Sequence, residues 1–373
     1  MGLSLMEGNE AIARGAIAAG CRFFAGYPIT PATTILNTML ALLPPQGGIC
    51  LQAEDEIASI GACLGASMAG MKVMTATSGP GISLYSEHIS FAVGSEIPIV
   101  IVDVQRLGPS TGSATRGADG DINFLRWGSS GGQPVIVLAP VNAADCFTLT
   151  IRAFNLAEQF RCPVFIASNK EIAMTRESVD THALRKPEII DRKQPAEEAP
   201  FLPFRIRANQ NVPDFLPIGA AIPVRQTSST HGADGYITTD QDEISRMQQR
   251  LKAKLEESVA GFSYSEHLAA DGSEILIISY GVSARAVKAV YNELKHSDRP
   301  VAALILKTLW PVPVELVRQA AEGCKRVLVV EMNLGQYVLE VQRVLADRRV
   351  DFCGQMDGRL ISPQKIKESL LNG

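Results

Sequence analysis

The chain has 373 residues, of which 46% are hydrophobic and 20% charged, with a formal net charge of −4. That length suits two domains with a connecting segment, and the composition supplies ample core material. The mildly acidic balance argues against nucleic acid as the main partner; no apolar run is long enough for a membrane span, and the N-terminus lacks a signal-peptide pattern.

From residue 8 to about residue 170, helical and strand patterns alternate. An alanine-rich helix over Glu10 to Ala19 is closed by Gly20, and Arg22 to Phe24 reads as a short strand. Pro31 suits the first turn of a helix over Ala32 to Leu43. A strand at Ile49 to Gln52 leads into a small-residue helix from Glu56 to Ala69. The next strand, Lys72 to Ala76, ends in Thr77-Ser78-Gly79-Pro80-Gly81. A helix over Ile82 to Val93, a buried strand over Ile97 to Val102 and a long polar loop through Gly132 follow. Pro134 to Leu138, Asn142 to Phe160 and Val164 to Ala167 complete a strand, a helix and a strand. Apolar strands separated by helices predict a parallel sheet covered on both faces.

The rhythm breaks between about 170 and 270. Lys186 to Pro203 is rich in proline and charge, Gln226 to Gly235 in Ser, Thr and Gly, and Glu243 to Glu257 predicts a charged, exposed helix. Alternation then resumes with strands at Ile275 to Ser279, Val301 to Leu306 and Val327 to Val330. Helices at Ser283 to Leu294, Val314 to Ala321 and Gln336 to Leu345 separate them. The expected organisation is a first domain over 1–195, a connector over 196–270 and a smaller α/β domain over 271–373.

The seven cysteines (Cys21, Cys50, Cys63, Cys146, Cys162, Cys324 and Cys353) are dispersed, without a C-x-x-C pair. This predicts core residues in a reducing, cytoplasmic setting. Iron–sulfur clusters need grouped thiolates, so any cluster the chemistry requires must sit on another subunit.

The most informative pattern is Glu54, then a helix carrying Gly61, Gly65 and Gly70, then the Thr77-to-Gly81 turn. Alone, a glutamate at a strand-to-helix junction simply favours the helix N-terminus, and glycine-rich turns are common in α/β folds. The combination resembles the pyrimidine-binding domain of thiamine-diphosphate enzymes. Four further motifs occur in order: Gly8-Asn9-Glu10-Ala11, Gly26-Tyr27-Pro28-Ile29-Thr30-Pro31, Gln52 to Ala58, and Arg106-Leu107-Gly108-Pro109-Ser110-Thr111-Gly112. They look like the alpha subunits of 2-oxoacid:ferredoxin oxidoreductases, closest to the 2-oxoglutarate branch. The likeness covers roughly the first 170 residues and returns in Leu309-Trp310-Pro311 and Glu331 to Gln336.

That resemblance implies a pyrimidine-binding domain followed by a smaller domain like the C-terminal domain of transketolase. It implies oxidative decarboxylation of a 2-oxoacid to an acyl-CoA, with electrons passed to iron–sulfur clusters. A carboxyl held partly out of water can share its proton with a pyrimidine ring nitrogen, which makes Glu54 the expected activating residue. Glu56, two residues on, is expected to point elsewhere. Tyr27, Pro28, Thr77 and Gly79 are the expected cofactor contacts. Thr30 and Arg106 are expected to hold the substrate carboxylate, which a planar guanidinium can grip through both oxygens. By itself a loop arginine is normally a solvated cation. No magnesium motif is present; Gly117 to Asn123 is the nearest run and reads as a substrate loop. The diphosphate, magnesium and a cluster are therefore expected on a beta subunit, beside gamma and ferredoxin-like subunits, with ferredoxin as acceptor.

Two stretches depart from the 2-oxoglutarate pattern. Ser129-Ser130-Gly131-Gly132 replaces a His-Gly-Asp element, and Asn169 to Met174 lacks the acidic residue and histidine usual there. These leave an aromatic or branched 2-oxoacid, such as phenylglyoxylate, open as substrate. A non-catalytic paralogue within such a complex is the reading from another class. A self-contained acetolactate-synthase-like enzyme would need a diphosphate domain for which the chain has no room.

Overall fold

In the computed structural model, residues 2–184, 186–195, 201–208 and 210–371 are described. The far side of the expected boundary at residue 195, residues 196–200, lies outside them.

The first part runs β1 (Leu3–Glu7), α1 (Gly8–Ala18), β2 (Phe23–Gly26), α2 (Thr33–Leu42), β3 (Ile49–Gln52), α3 (Glu56–Met68) and β4 (Val73–Thr77). It continues with α4 (Pro80–Leu84), α5 (Ser86–Gly94), β5 (Ile99–Gln105), α6 (Ile122–Trp127), β6 (Ile136–Leu138), α7 (Ala143–Phe160), β7 (Pro163–Asn169), α8 (Lys170–Met174) and β8 (Arg176–Asp180). After the connector come α9 (Gln241–Glu256), β9 (Ser265–Leu268), β10 (Ile275–Ser279), α10 (Ser283–Leu294), β11 (Val301–Leu306) and β12 (Thr308–Trp310). The chain closes with α11 (Val314–Ala320), β13 (Arg326–Glu331), α12 (Val338–Val344), β14 (Arg349–Gly354) and α13 (Pro363–Leu371).

Seven strands form the first sheet in the order β12-β6-β7-β5-β4-β2-β3, parallel except for β12. Every residue of β5 is buried, as expected of a β-branched central strand covered on both faces. The edge strand β3 is largely exposed. The second sheet runs β14-β13-β10-β11-β9, with only β9 antiparallel. Side-chain caps start the long helices: Asp55 for α3, Asn142 for α7 and Asp240 for α9 each accept a backbone N–H.

The fold differs from expectation in several places. The long polar loop contains α6, and β5 reaches Gln105 rather than stopping at Val102. The single helix over 82–93 is two helices that meet at Tyr85. The expected exposed helix, α9, buries Met247, Leu251, Lys254 and Leu255, and Arg250 and Lys254 both clasp the buried Glu96. Finally β12, from the second part of the chain, extends the first sheet along β6. The two expected domains thus share a sheet edge, which a periodic reading of one stretch at a time does not reveal.

Candidate active site

In a parallel sheet, ligands gather where the strands end. Here the loops after β2, β3, β4 and β5 emerge side by side and carry Tyr27 to Pro31, Glu54 to Glu56, Thr77 to Gly81 and Arg106 to Gly112. The buried Asn9 of α1 fixes the first loop: its Nδ2 donates to Pro31 O at 2.8 Å and to Thr34 Oγ1 at 2.7 Å. The Ala53 N–H bonds Gly26 O at 3.1 Å, bringing the turn after β3 alongside Tyr27. Tyr27 and Thr30 are exposed and Pro28 is half-buried.

Arg106 closes the group. It is buried at 5% exposure, and its Nη1 donates to Thr30 O at 2.7 Å. No carboxylate stands within ion-pair distance of it among the described residues, and its Nε has no partner. A buried guanidinium that feels Asp121 only from beyond ion-pair distance gains from an anion that completes it. Gly79 makes room: its φ is 44°, and a Cβ there would stand 3.3 Å from Arg106 Nε. Thr77 Oγ1 and Ser78 Oγ are likewise buried without partners.

The two glutamates behave differently from expectation. Glu54 is exposed, whereas Glu56 is buried at 7% exposure. Glu56 lies on the inward stripe of α3 with Ser59, Ile60, Cys63, Leu64 and Ser67. A Cβ on Gly81 would meet both Thr77 Oγ1 and Glu56 Oε1, the latter at 2.9 Å, so the carboxyl borders the Thr77 turn. Helical spacing to Ile60 and Cys63 was the available signal for Glu56. Glu54 precedes the helix and has no such constraint.

Thr30, Thr77, Gly79, Arg106 and Glu56 therefore converge, with Tyr27 and Pro28 at the rim and Glu54 outside it. Unpartnered buried hydroxyls beside a buried carboxyl fit a polar heterocycle such as a pyrimidine, and the unpaired guanidinium fits a carboxylate. A cavity of about 860 Å³ between the two parts of the chain, lined by Arg126, Trp127, Trp310 and Arg343 among others, shares no lining residue with this group.

Comparison with known proteins identifies the family. Residues 14–255 match the family model described as pyruvate flavodoxin/ferredoxin oxidoreductase, thiamine diphosphate-binding, and residues 273–366 match pyruvate:ferredoxin oxidoreductase core domain II. The 2-oxoglutarate synthase subunit KorA of Methanothermobacter marburgensis is 40% identical, with 98% of each chain covered. The ketoisovalerate oxidoreductase subunit VorB of Methanothermobacter thermautotrophicus is 33% identical over 99% of this chain and 97% of its own. Among solved structures, the 2-oxoglutarate:ferredoxin oxidoreductase of Magnetococcus marinus, with 2-oxoglutarate, coenzyme A and succinyl-CoA bound, superposes with a TM-score of 0.92 at 32% identity. The match covers all of this chain and 65% of that one. A split-gene transketolase, covered over 96% of its chain with a TM-score of 0.57 and 11% identity, shares the fold alone. The chain belongs to the thiamine-diphosphate-binding family of 2-oxoacid:ferredoxin oxidoreductases, in the line of their alpha subunits.

Proposed function

We propose that this chain is the alpha subunit of a 2-oxoglutarate:ferredoxin oxidoreductase, that it carries the pyrimidine side of the active site, and that it works only with partner subunits. The observation that carries this reading is the buried, unpaired Arg106 converging with Thr30, Thr77 and Glu56 at the C-terminal rim of a parallel sheet. When bound, thiamine diphosphate supplies the nucleophilic carbon and the electron sink for decarboxylation. The chain's own residues orient and hold protons. Glu56 takes the activating role assigned to Glu54 on sequence, because it alone of the two is withdrawn from water. Its carboxyl holds a proton against a ring nitrogen, and Thr77 beside it offers a hydroxyl. Arg106 grips the 1-carboxylate of the 2-oxoacid through its planar fork, with Thr30 at the same end. Gly79 leaves the space that this contact needs, and Tyr27 and Pro28 wall the rim.

The diphosphate, magnesium and a cluster belong in this reading to a beta subunit that closes over the exposed rim at Glu54. Gamma and ferredoxin-like subunits complete a cytoplasmic complex, ferredoxin takes the electrons, and coenzyme A takes the acyl group.

The 40% identical relative named for 2-oxoglutarate favours that substrate. The Ser129 to Gly132 stretch and the ketoisovalerate-named relative keep a branched 2-oxoacid as the second reading. Assay of the assembled complex with 2-oxoglutarate, 2-oxoisovalerate, phenylglyoxylate and pyruvate decides between them. The highest kcat/KM is expected for 2-oxoglutarate. A higher value for another acid overturns the substrate and leaves the cofactor assignment standing.

A further inference from the structure

Behind Arg106 lies a group of carboxyls that the reaction as described does not use. Asp103, on β5, is fully buried, and neither of its carboxyl oxygens receives a hydrogen bond from an N–H donor. Its neighbours in register are Thr77 on β4 and Ala167 on β7, so it stands one strand from the Thr77 turn. Asp121, just ahead of α6, meets it side chain to side chain, and Asp121 Oδ2 is also buried without a partner.

The position of Asp121 is fixed from two sides. Its N–H donates to Gln105 Oε1 at 2.9 Å. The loop before it is held by the second part of the chain, where the Asp119 N–H donates to Met332 O and Asn333 Nδ2 donates to Asp119 O, both at 2.9 Å. Two touching carboxyls shielded from water cannot both ionise at moderate cost. Among the described residues no N–H donor relieves the Asp103 side chain.

We propose that Asp103 and Asp121 share one proton beneath Arg106, and that this proton keeps the guanidinium available to the substrate's carboxylate. The second half rests on the assignment of Arg106 as the substrate anchor. With the proton in place, the two aspartates and Arg106 sum to neutral. Without it, a net negative charge stands where an anionic substrate must arrive, and the guanidinium is drawn away from Thr30 toward the pair.

The surrounding groups agree with this arrangement. Facing Asp103 are neutral Thr77 and Ala167 on the adjacent strands, and Asp119 and Asp121 in the loop. Arg106 acts on Asp121, while Glu331 and Asn169 act on Asp119. Burial, then Asp121 and Asp119, hold the Asp103 carboxyl well above the usual carboxylate range. Burial raises the Asp121 carboxyl to about 6, opposed by the hydrogen bond it accepts from Asp103 and by Arg106. In the proposed pair the shared proton sits on the Asp103 side, the fully buried one, and is lost as pH climbs.

The test uses the assembled complex and compares wild type with Asp103→Asn and Asp121→Asn, either of which supplies the same hydrogen bond at every pH. The KM for the 2-oxoacid is measured from about pH 6 to about pH 9. Wild-type KM is expected to climb on the order of tenfold per pH unit once the pair loses its proton. Both variants should lack that climb. Infrared difference spectra should show a protonated carboxyl band in wild type at neutral pH that Asp103→Asn removes. Variant profiles that superimpose on wild type, or a missing band, overturn the shared proton. Arg106→Lys separates the two ideas. If it leaves KM unchanged while the band is present, the anchor assignment is wrong and the link from proton to substrate falls with it.

Discussion

The Glu56 carboxyl lies inside the rim of the sheet beside Thr77, while the Glu54 carboxyl, two residues earlier, stands in water. Only the first can keep a proton in a defined hydrogen bond to a ring nitrogen, since bulk water competes for the second. Glu56→Gln in the assembled complex is therefore expected to slow exchange of the cofactor's C2 proton by roughly 10²- to 10⁴-fold. Glu54→Gln should exchange within a small factor of wild type. The reverse ranking, followed by NMR of exchange into deuterated water, would return the activating role to Glu54.

Among the elements, α9 shows how composition can mislead. Its sequence is charged throughout, yet two of those charges are turned inward onto Glu96, with Arg250 at 2.7 Å and Lys254 at 2.9 Å. Charge counts do not distinguish a solvated face from one that clasps a buried carboxylate in another element. Burial alone would raise the Glu96 carboxyl, but Lys254, Arg250 and Arg161 hold it far below the usual range. A carboxyl lowered on folding stabilises the native state above the unfolded glutamate value, near ~4.3, and that contribution drains away as pH falls below it. Glu96→Gln leaves the two cations facing a neutral amide and should cost about 3–5 kcal/mol, read from the denaturant midpoint at neutral pH. The difference between variant and wild type should shrink in acid; a constant difference would place the lost stability elsewhere. The strands and helices with strong apolar periodicity, such as β10, α10 and β11, lie where the spacing of their residues predicts. Short strands such as β9 and β12 carry too few residues for a period, and their pairing is decided by distant partners.

At the scale of the whole molecule, the second part of the chain acts on the first in two ways. It contributes β12 to the long sheet, and it grips the loop ahead of α6. In that grip Gln336 Nε2 donates to Gly120 O at 2.5 Å, and Gln336 Oε1 accepts the Asn123 N–H at 2.8 Å. The Glu331 to Gln336 run, informative on sequence only through resemblance, has a physical role here. Glu331 accepts from Tyr280 OH and from the N–H groups of Tyr337 and Val338, which shapes the turn that presents Asn333 and Gln336. A fragment of residues 1–270 would leave the edge of β6 unpaired and this loop unheld. It is expected to aggregate or to exchange the amides of β6 and of residues 117–123 rapidly. A soluble fragment with full protection there would show that the first part folds by itself.

The free cysteines have a consequence for the chemistry of damage. Six thiols are buried, and Cys50 on β3 is only half-exposed. Burial pushes Cys21 and Cys162 up to about 12 and Cys50 up to about 11. The thiolate is the form that peroxide and disulfides attack, so at neutral pH these three thiols present almost none of it. If the partners carry iron–sulfur clusters, as proposed above, exposure to air should injure the partners and spare this subunit. Air-treated alpha chains recombined with fresh partner subunits are expected to recover full turnover, and a lasting deficit would reveal a vulnerable group in this chain other than its thiols.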